Sequence, residues 1–247
     1  MKKVVFALSA LALLFVVSAC KKDKSPVEQV CPEGAVDMGI VMTRADGTTY
    51  KLFWAKSNLC ESGLCANPED YGDYYAWGET APKSNYSWST YKWCNGDYKK
   101  LTRYCLSSKA DYWDGEGTPD NKTEFSDYNY ADDAARARLD GKWRTPTNAE
   151  WSALLTQCTW EWTSDYNGTG KAGRIITAPN GNSIFLPAAG EWGGPGPDGA
   201  GSYGEYWSSS LLTDFPDSAW GVNSTPGSVG RKDCRRFYGF SVRPVSE

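Results

Sequence analysis

Apolar residues are most concentrated at the start of the chain. Lys2 and Lys3 precede a largely apolar run at residues 4–17, and further lysines follow it closely. A charged end, a short apolar segment and small residues at its close are the three parts of a secretory signal. The apolar part is too short to be a convincing membrane-spanning helix. We therefore predict a signal peptide at residues 1–19.

The predicted signal ends at a cysteine. Ser18 and Ala19 are small residues directly before Cys20, a pattern that resembles the bacterial lipobox. The resemblance implies cleavage before Cys20 and acylation of its thiol, and the acyl chains would hold the protein to a membrane. The alternative is a plain signal peptide with a chance cysteine. Residues 20–35 are then the lipidated cysteine and a flexible tether, because residues 21–30 are almost without apolar side chains.

Two segments have the pattern of helices. In the first, Asp132 or Asp133 can cap the alanine-rich residues 134–139, and Gly141 ends the run. This segment therefore predicts one short helix.

The second helical segment carries a stronger start signal. Thr147 and Glu150 have the spacing of a capping box. Trp151, Leu154 and Leu155 then fall on one helical face, so this helix is expected to pack on a core.

The rest of the chain is punctuated by Gly, Pro, Asn and Asp between short apolar runs. Residues 174–178 and 183–186 flank an Asn-Gly turn at 179–182, which is a strong hairpin signal. Further strands are predicted at 206–210, 219–222 and 240–243. Two helices before a run of strands and long loops predict an α+β domain, which we place at residues 36–247.

Composition narrows the possible functions. The net charge is −4 and no basic stripe is present, so nucleic acid is not an expected partner. The chain has no histidine, which removes Ser-His-Asp and Cys-His catalysis and histidine-ligated zinc. The 12 Trp and 15 Tyr favour a core of large rings, a face that binds by stacking, or both. No cofactor and no metal site are expected.

Seven cysteines remain in the exported chain once Cys20 is assigned to the lipid. Cys60 and Cys65, and likewise Cys94 and Cys105, are close enough in sequence to close short loops. Connectivity does not follow from spacing, and the odd number leaves a thiol over if all pairing is intramolecular.

Several longer motifs carry a family resemblance over most of the mature chain. They are VDMG (36–39), PEDYGDYYAWGET (68–80), WSTYKWCNG (88–96), KWRTPTNAEW (142–151), NGNSIFLPAAG (180–190), AGSYGEYWSSS (200–210) and GFSVRPV (239–245). Together they resemble lipoproteins of gut anaerobes with the "major paralogous domain" first noted in Fibrobacter. The same pattern occurs in variable proteins targeted by diversity-generating retroelements.

The resemblance implies a C-type-lectin-like fold of the subtype seen in formylglycine-generating enzymes, with two helices and short antiparallel strands joined by long loops. It also implies display at the outer membrane of the cell envelope. The shared signature is a helix start and a chain end. Its residues here are Arg144, Pro146, Thr147, Glu150 and Trp151, followed by Gly239, Phe240 and Arg243. We interpret these matches as structural rather than catalytic.

Enzymatic alternatives fit the residues less well. A formylglycine-generating oxidase needs two close cysteines near its C-terminal end, whereas only Cys234 lies there and Cys158 is far upstream. Glycoside hydrolysis needs two positioned carboxylates. Glu191, Asp198 and Asp214 are candidates, but isolated acids in loops are usually solvated.

A calcium-dependent lectin would carry Glu-Pro-Asn or Gln-Pro-Asp followed by Trp-Asn-Asp. Here Gly196 precedes Pro197-Asp198, and Ser208 follows Trp207, so the sugar–calcium motif is absent. Calcium-independent carbohydrate binding through exposed Trp and Tyr rings stays open.

The stretch between Trp207 and Phe240 alternates scaffold-like residues with positions of unrelated chemistry. In the resembling variable proteins, such positions face solvent and are rewritten from Asn codons. We call the matching positions here the candidate face. They are Leu212, Asp214, Phe215, Asp217, Ser218, Gly221, Asn223, Ser228, Gly230, Lys232, Asp233, Cys234, Arg235, Phe237 and Tyr238. The scaffold-like positions are Ser208, Ser209, Ala219, Trp220, Val222, Gly227, Val229, Arg236 and Gly239.

Changing the adenines of an Asn codon reaches every residue type in the candidate face except the lysine at Lys232. That position needs another template codon or is not variable. The region as a whole (about 206–245) is expected to bind a ligand without catalysis, through ring anchors and adjustable polar contacts. The expected partners are a protein or a glycan on another cell, a phage or a host surface.

Overall fold

The computed structural model describes residues 29–247. The predicted signal peptide, Cys20 and the tether up to residue 28 lie outside the described residues. Within residues 29–247, no helix is long and apolar enough to cross a membrane.

The described chain is of α+β type, with small antiparallel sheets, two α-helices and several short 3-10 helices. The helices are α1 (Ala134–Arg138) and α2 (Asn148–Gln157), and the 3-10 helices are Trp88–Thr90, Ser107–Tyr112, Phe125–Tyr128 and Tyr166–Gly168. The strands are β1 (Ala35–Thr43), β2 (Thr49–Ala55), β3 (Leu59–Cys60), β4 (Gly63–Leu64), β5 (Thr159–Thr163), β6 (Gly173–Thr177), β7 (Ser183–Pro187), β8 (Glu191–Gly193), β9 (Gly196–Asp198), β10 (Gly204–Leu211), β11 (Ser218–Ser224), β12 (Val229–Arg235) and β13 (Val245–Ser246).

The two ends of the described chain meet in one sheet of order β1-β2-β13. Trp54 of β2 pairs with Val36 on one side and with Val245 on the other. Its ring packs against Trp151 of α2 with 4.7 Å between centroids, and both residues are fully buried. Large rings therefore pack in this core together with aliphatic side chains such as Leu52 and Ile176.

Helix α2 begins as the capping box predicts. The Thr147 hydroxyl accepts a hydrogen bond from the Glu150 amide at 3.2 Å, and the Glu150 carboxylate accepts one from the Thr147 amide at 2.8 Å. Trp151 and Leu154 are fully buried and Leu155 is partly buried against the same core. The predicted helix and its core-facing side are confirmed.

Helix α1 is confirmed as well, with Asp133 rather than Asp132 as its cap. The Asp133 carboxylate accepts a hydrogen bond from the Ala135 amide at 2.9 Å. The helix ends at Arg138, and Gly141 adopts a left-handed φ of 74° shortly after it. The same carboxylate accepts a hydrogen bond from the Thr145 hydroxyl at 2.7 Å. This bond connects α1 to the segment that leads into α2.

The Asn-Gly hairpin forms between β6 and β7. The Gly181 amide donates to the Ala178 carbonyl at 2.9 Å, and Gly181 has a φ of 86°, which a glycine adopts without strain. This predicted hairpin is confirmed.

The C-terminal sheet has the order β10-β11-β12. Predicted strands 206–210 and 219–222 lie inside β10 and β11. The predicted strand 240–243 is wrong, because this segment makes only single bridges, from Phe240 to Tyr75 and from Ser241 to Tyr206. Pro244, which follows, has no amide hydrogen with which to extend a ladder.

Strand β12 was not predicted. It reads Val-Gly-Arg-Lys-Asp-Cys-Arg and shows no alternation of apolar and polar residues. It lies at the edge of the sheet and leaves most of its side chains in water, so tertiary pairing rather than a hydrophobic pattern makes it a strand.

The cysteines pair less than their spacing permits. Cys60 and Cys65 form a disulfide. Cys94 and Cys105 are both buried free thiols, with sulfurs directed at the carbonyls of Trp88 (3.2 Å) and Lys109 (3.3 Å).

Candidate functional site

The scaffold-like positions of the C-terminal region are mostly buried. Ser208, Ser209, Ala219, Val222 and Arg236 are at most 3% exposed. Gly239 is buried, Trp220 and Val229 are half-buried, and Gly227 is exposed.

The candidate face divides into three groups by exposure. Asp214, Phe215, Ser228, Lys232, Asp233 and Arg235 are exposed. Leu212, Asn223, Gly230, Cys234, Phe237 and Tyr238 are half-buried. Asp217, Ser218 and Gly221 are buried, which corrects the expectation that every position would face solvent. Gly221 lies in the central strand, where an added Cβ would come within 2.7 Å of the Tyr206 carbonyl oxygen, so a larger residue does not fit there.

An open depression of about 450 Å³ lies where β11 and β12 meet the turn that joins β10 to β11. Its lining residues are Phe215, Asp217, Ser218, Asp233, Cys234, Arg235 and Tyr238. All of them belong to the candidate face. Seven of the fifteen positions of the candidate face therefore lie around one concavity.

Arg236 fixes the wall of this depression from below. It is fully buried, and its guanidinium donates to the Tyr91 hydroxyl at 2.9 Å and to the carbonyls of Pro216, Arg103 and Tyr104 at 2.8, 3.1 and 3.2 Å. The Arg236 amide donates to the Asp217 carbonyl at 3.0 Å. The turn and the end of β12 are thus held to one scaffold residue, while their other side chains stay free.

A row of rings continues the candidate face beyond the C-terminal region. Phe237 stacks on Tyr238 with 4.4 Å between centroids and meets Trp88 edge-on at 5.1 Å. Tyr98 lies 6.5 Å from Trp88 and 6.2 Å from Tyr112. Our sequence analysis missed Trp88, Tyr98 and Tyr112 as members of this surface, although Trp88 opens the motif at 88–96.

A buried acid, paired with an exposed lysine, underlies the sheet portion of the candidate face. The Glu205 carboxylate is 1% exposed and accepts hydrogen bonds from Lys232 Nζ and Asn223 Nδ2, both at 2.8 Å. Burial raises the pKa of Glu205, and the lysine partly opposes that shift. The sequence gave no signal for Glu205, because a lone acid in a strand does not stand out.

The thiol of Cys234 lies in a different environment from that of Cys158. Cys234 packs beside Trp207 and Tyr238, whereas Cys158 packs against the core around Trp151. Burial raises the pKa of Cys234 to about 12. A thiol with a raised pKa is mostly protonated at neutral pH and is a weak nucleophile.

The acids considered for glycoside hydrolysis are separated into two places. Glu191 and Asp198 lie directly opposite each other across the β8–β9 hairpin. Asp214 is in the exposed turn after β10. Among residues 29–247, no group of three or more acidic or cysteine side chains is arranged to hold a metal ion.

The residues of the shared helix-start signature make contacts inside the protein. Arg144 donates to both carboxylate oxygens of Glu150 at 2.8 and 2.6 Å, and both residues are buried. Although burial raises it, the pKa of Glu150 is held below its ordinary value by the bonds and charge of Arg144. The Trp151 indole donates to the Trp207 carbonyl at 3.1 Å.

The residues of the chain-end signature are also buried. Phe240 stacks on Trp207 with 4.1 Å between centroids. The fully buried Arg243 donates to Asn58 Oδ1 at 2.9 Å and to the Phe185 carbonyl at 2.8 Å. None of these side chains lines the depression.

No known protein family, no curated protein and no solved structure matches this chain.

Proposed function

We propose that this chain is a non-catalytic ligand-binding lipoprotein whose recognition surface is the candidate face. The observation that carries the proposal is the depression lined only by candidate-face residues. Those residues were selected from sequence without knowledge of their arrangement, and scaffold residues between them, such as Ala219 and Arg236, are buried. Rings at Phe215 and Tyr238 with adjustable polar neighbours form the kind of surface that binds a partner.

The proposed fold is the C-type-lectin-like fold of the formylglycine-generating subtype. The α+β architecture is compatible with it, and the long motifs over residues 36–245 favour it. The helix-start residues Arg144 and Glu150 and the chain-end residue Arg243 hold the scaffold together. This supports a structural role for the residues that carry the resemblance.

Diversification of the surface by a retroelement is part of the proposal. Lys232, the position that an Asn codon does not reach, pairs with the buried Glu205. A residue that neutralises a buried acid is costly to exchange, so we propose that Lys232 is a fixed position.

We propose no catalytic role for this surface, and two observations support this. The chain has no histidine, and the thiol of Cys234 has a pKa of about 12 because of burial. A formylglycine-type oxidase needs a reactive thiolate in this region.

Location follows from the export signal. We propose lipidation at Cys20 and display on the outer surface of the cell envelope, where the partner would be a protein or a glycan of another cell, a phage or a host.

The experiment compares two matched double variants of the full-length protein in detergent. Phe215→Ala/Arg235→Ala removes an apolar group and a cation from the candidate face, and Val41→Ala/Lys51→Ala does the same on the exposed β1–β2 hairpin. Each is tested against panels of glycans and of bacterial, phage and host surface proteins. The first variant should lose at least tenfold in affinity for the wild-type partner and the second should not. Equal effects would remove the assignment.

Calcium-independent carbohydrate binding is a second candidate, favoured by another groove. This groove, of about 750 Å³, contains the half-buried ring of Trp220. Its polar lining residues are Thr123, Glu124, Thr147, Asn148, Ser210 and Thr213. An aromatic ring beside hydroxyl and amide groups suits a sugar. Trp220→Leu should then abolish binding on a glycan array while Phe215→Ala leaves it unchanged, and the reverse would reject this candidate.

A further inference from the structure

Asp217 differs from every other deeply buried acid in residues 29–247. Its side chain is 8% exposed, yet its carboxylate accepts no hydrogen bond from any other described residue. The remaining buried acids each have a donor. These pairs are Glu79 with Lys83 (2.8 Å), Asp132 with Tyr104 (2.8 Å), Asp133 with Thr145 (2.7 Å), Glu150 with Arg144 (2.8 Å) and Glu205 with Lys232 (2.8 Å). The carboxylate oxygens of Asp217 are not sealed from solvent, so they are available to a donor that comes from outside the protein.

The unpaired carboxylate is accessible, because Asp217 lines the open depression. Asp233, an exposed second carboxylate, lines the same concavity, and so do the rings of Phe215 and Tyr238. Two acids beside two aromatic rings form a surface that attracts a cation through both charge and the ring quadrupoles.

The cations of the protein do not satisfy this carboxylate. Arg235 also lines the depression and its charge acts on Asp217, but it makes no hydrogen bond to that carboxylate, and its guanidinium lies 5.9 Å from the centroid of Tyr98. Arg236 is near, but its guanidinium nitrogens are already bonded to Tyr91 and to three carbonyls.

We propose that this depression is a receptor for the ammonium or guanidinium group of a lysine or arginine side chain presented by a protein partner. Asp217 is the specificity-determining residue, Asp233 adds charge, and Phe215 and Tyr238 flank the alkyl stem. The inference rests on the proposed function, since it names the chemistry of what the candidate face binds. A neutral saccharide would stabilise the ionised carboxylate of Asp217 less than a cation does, because a hydroxyl group carries no positive charge.

Acidification should weaken this binding. Burial raises the pKa of Asp217 above its ordinary value, with Arg235 opposing the shift. As the pH falls through that raised value, the carboxylate takes up a proton and no longer attracts a cation. A bound cation favours the ionised form, so binding and proton release are linked.

The test uses full-length protein and acetylated, amidated pentapeptides that differ only at a central lysine, arginine or norleucine. Fluorescence polarisation at low ionic strength and neutral pH should show at least tenfold tighter binding of the two cationic peptides than of the norleucine peptide. Asp217→Asn should abolish that preference, and the matched control Asp214→Asn, in the same turn but outside the depression, should keep it.

Thermal unfolding separates a binding role from a folding role. The Asp217 carboxylate accepts no hydrogen bond from another described residue, so the Tm of Asp217→Asn should stay close to that of the wild type. Lysine peptide should raise the Tm of the wild type only. A cation preference that survives Asp217→Asn overturns the inference. So does Asp217-dependent binding of a neutral maltooligosaccharide. If Phe215→Ala/Arg235→Ala loses its partner while Asp217→Asn does not, the cation receptor fails and the proposed function stands.

Discussion

The C-terminal sheet contains two populations of residues within one short stretch of chain. Trp207, Arg236 and Phe240 are at most 1% exposed, whereas Lys232 and Arg235, in the same region of the chain, lie at the surface. Neighbouring arginines show the contrast best, because Arg236 makes hydrogen bonds to buried carbonyls and Arg235 meets water and the ring of Tyr98. Stability and surface chemistry are therefore carried by different residues, even where these are adjacent in the chain.

The difference predicts that substitutions in the two populations act on different properties. Changes in the buried population should lower the free energy of unfolding. Changes in the exposed population should alter binding.

The largest expected effect is that of Trp207→Ala. The ring stacks on Phe240 and its indole donates to the Tyr75 carbonyl at 2.8 Å, so its removal leaves a cavity and an unpaired carbonyl. We expect a loss of about 4 kcal/mol in the free energy of unfolding, measured by chemical denaturation. Phe215→Ala, whose ring is 58% exposed, is the control and should change it by less than about 1 kcal/mol. Similar losses of stability in both variants would contradict the division into buried and exposed populations.

Glu150→Gln should cost about 3 kcal/mol at neutral pH, because it breaks a buried ion pair with Arg144. Since the folded-state pKa of Glu150 lies below its unfolded value, the wild type gains this stability above about pH 4.5 and loses it as the pH falls through the folded-state value. Denaturation at a series of pH values measures this. A variant with the acid dependence of the wild type would contradict the assignment.

Arg236→Met should cost about 2 kcal/mol, because the carbonyls of Arg103, Tyr104 and Pro216 lose their donor. Arg235→Met is the matched control and should stay within about 0.5 kcal/mol. Thermal unfolding of the pair provides the sharpest form of the comparison, because the residues are adjacent. Equal shifts in Tm would show that burial does not separate them.

The smallest effect on stability is expected for Phe237→Ala and Tyr238→Ala. Both rings are half-buried and stack on each other, so each change should cost about 1 kcal/mol or less. Affinity for the partner of the candidate face should nevertheless fall at least tenfold, as titration calorimetry would show. A large loss of stability with unchanged affinity would place these rings in the scaffold.

Local signals in the sequence predicted local structure well. The caps at Asp133 and Thr147 and the hairpin turn at Gly181 formed where they were expected. Each depends on contacts within a few residues, such as the bond from the Glu150 amide to Thr147, so a short window contains the necessary information.

Contacts between residues far apart in the sequence determined the features that were not predicted. Strand β12 has no hydrophobic alternation and forms because β11 pairs with it. The buried state of Asp217 and Gly221 depends on the packing around them, and the unpaired thiols of Cys94 and Cys105 could not be inferred from spacing.

The sequence by itself determined the two capped helices and the Asn-Gly hairpin. Only the tertiary structure brought the depression together and left Asp217 as its unpaired acid. The physical reason is that caps and turns are satisfied by neighbours in the chain, whereas the partners of Arg236 are up to 145 residues away. The shape and charge of a surface depend on such long-range contacts.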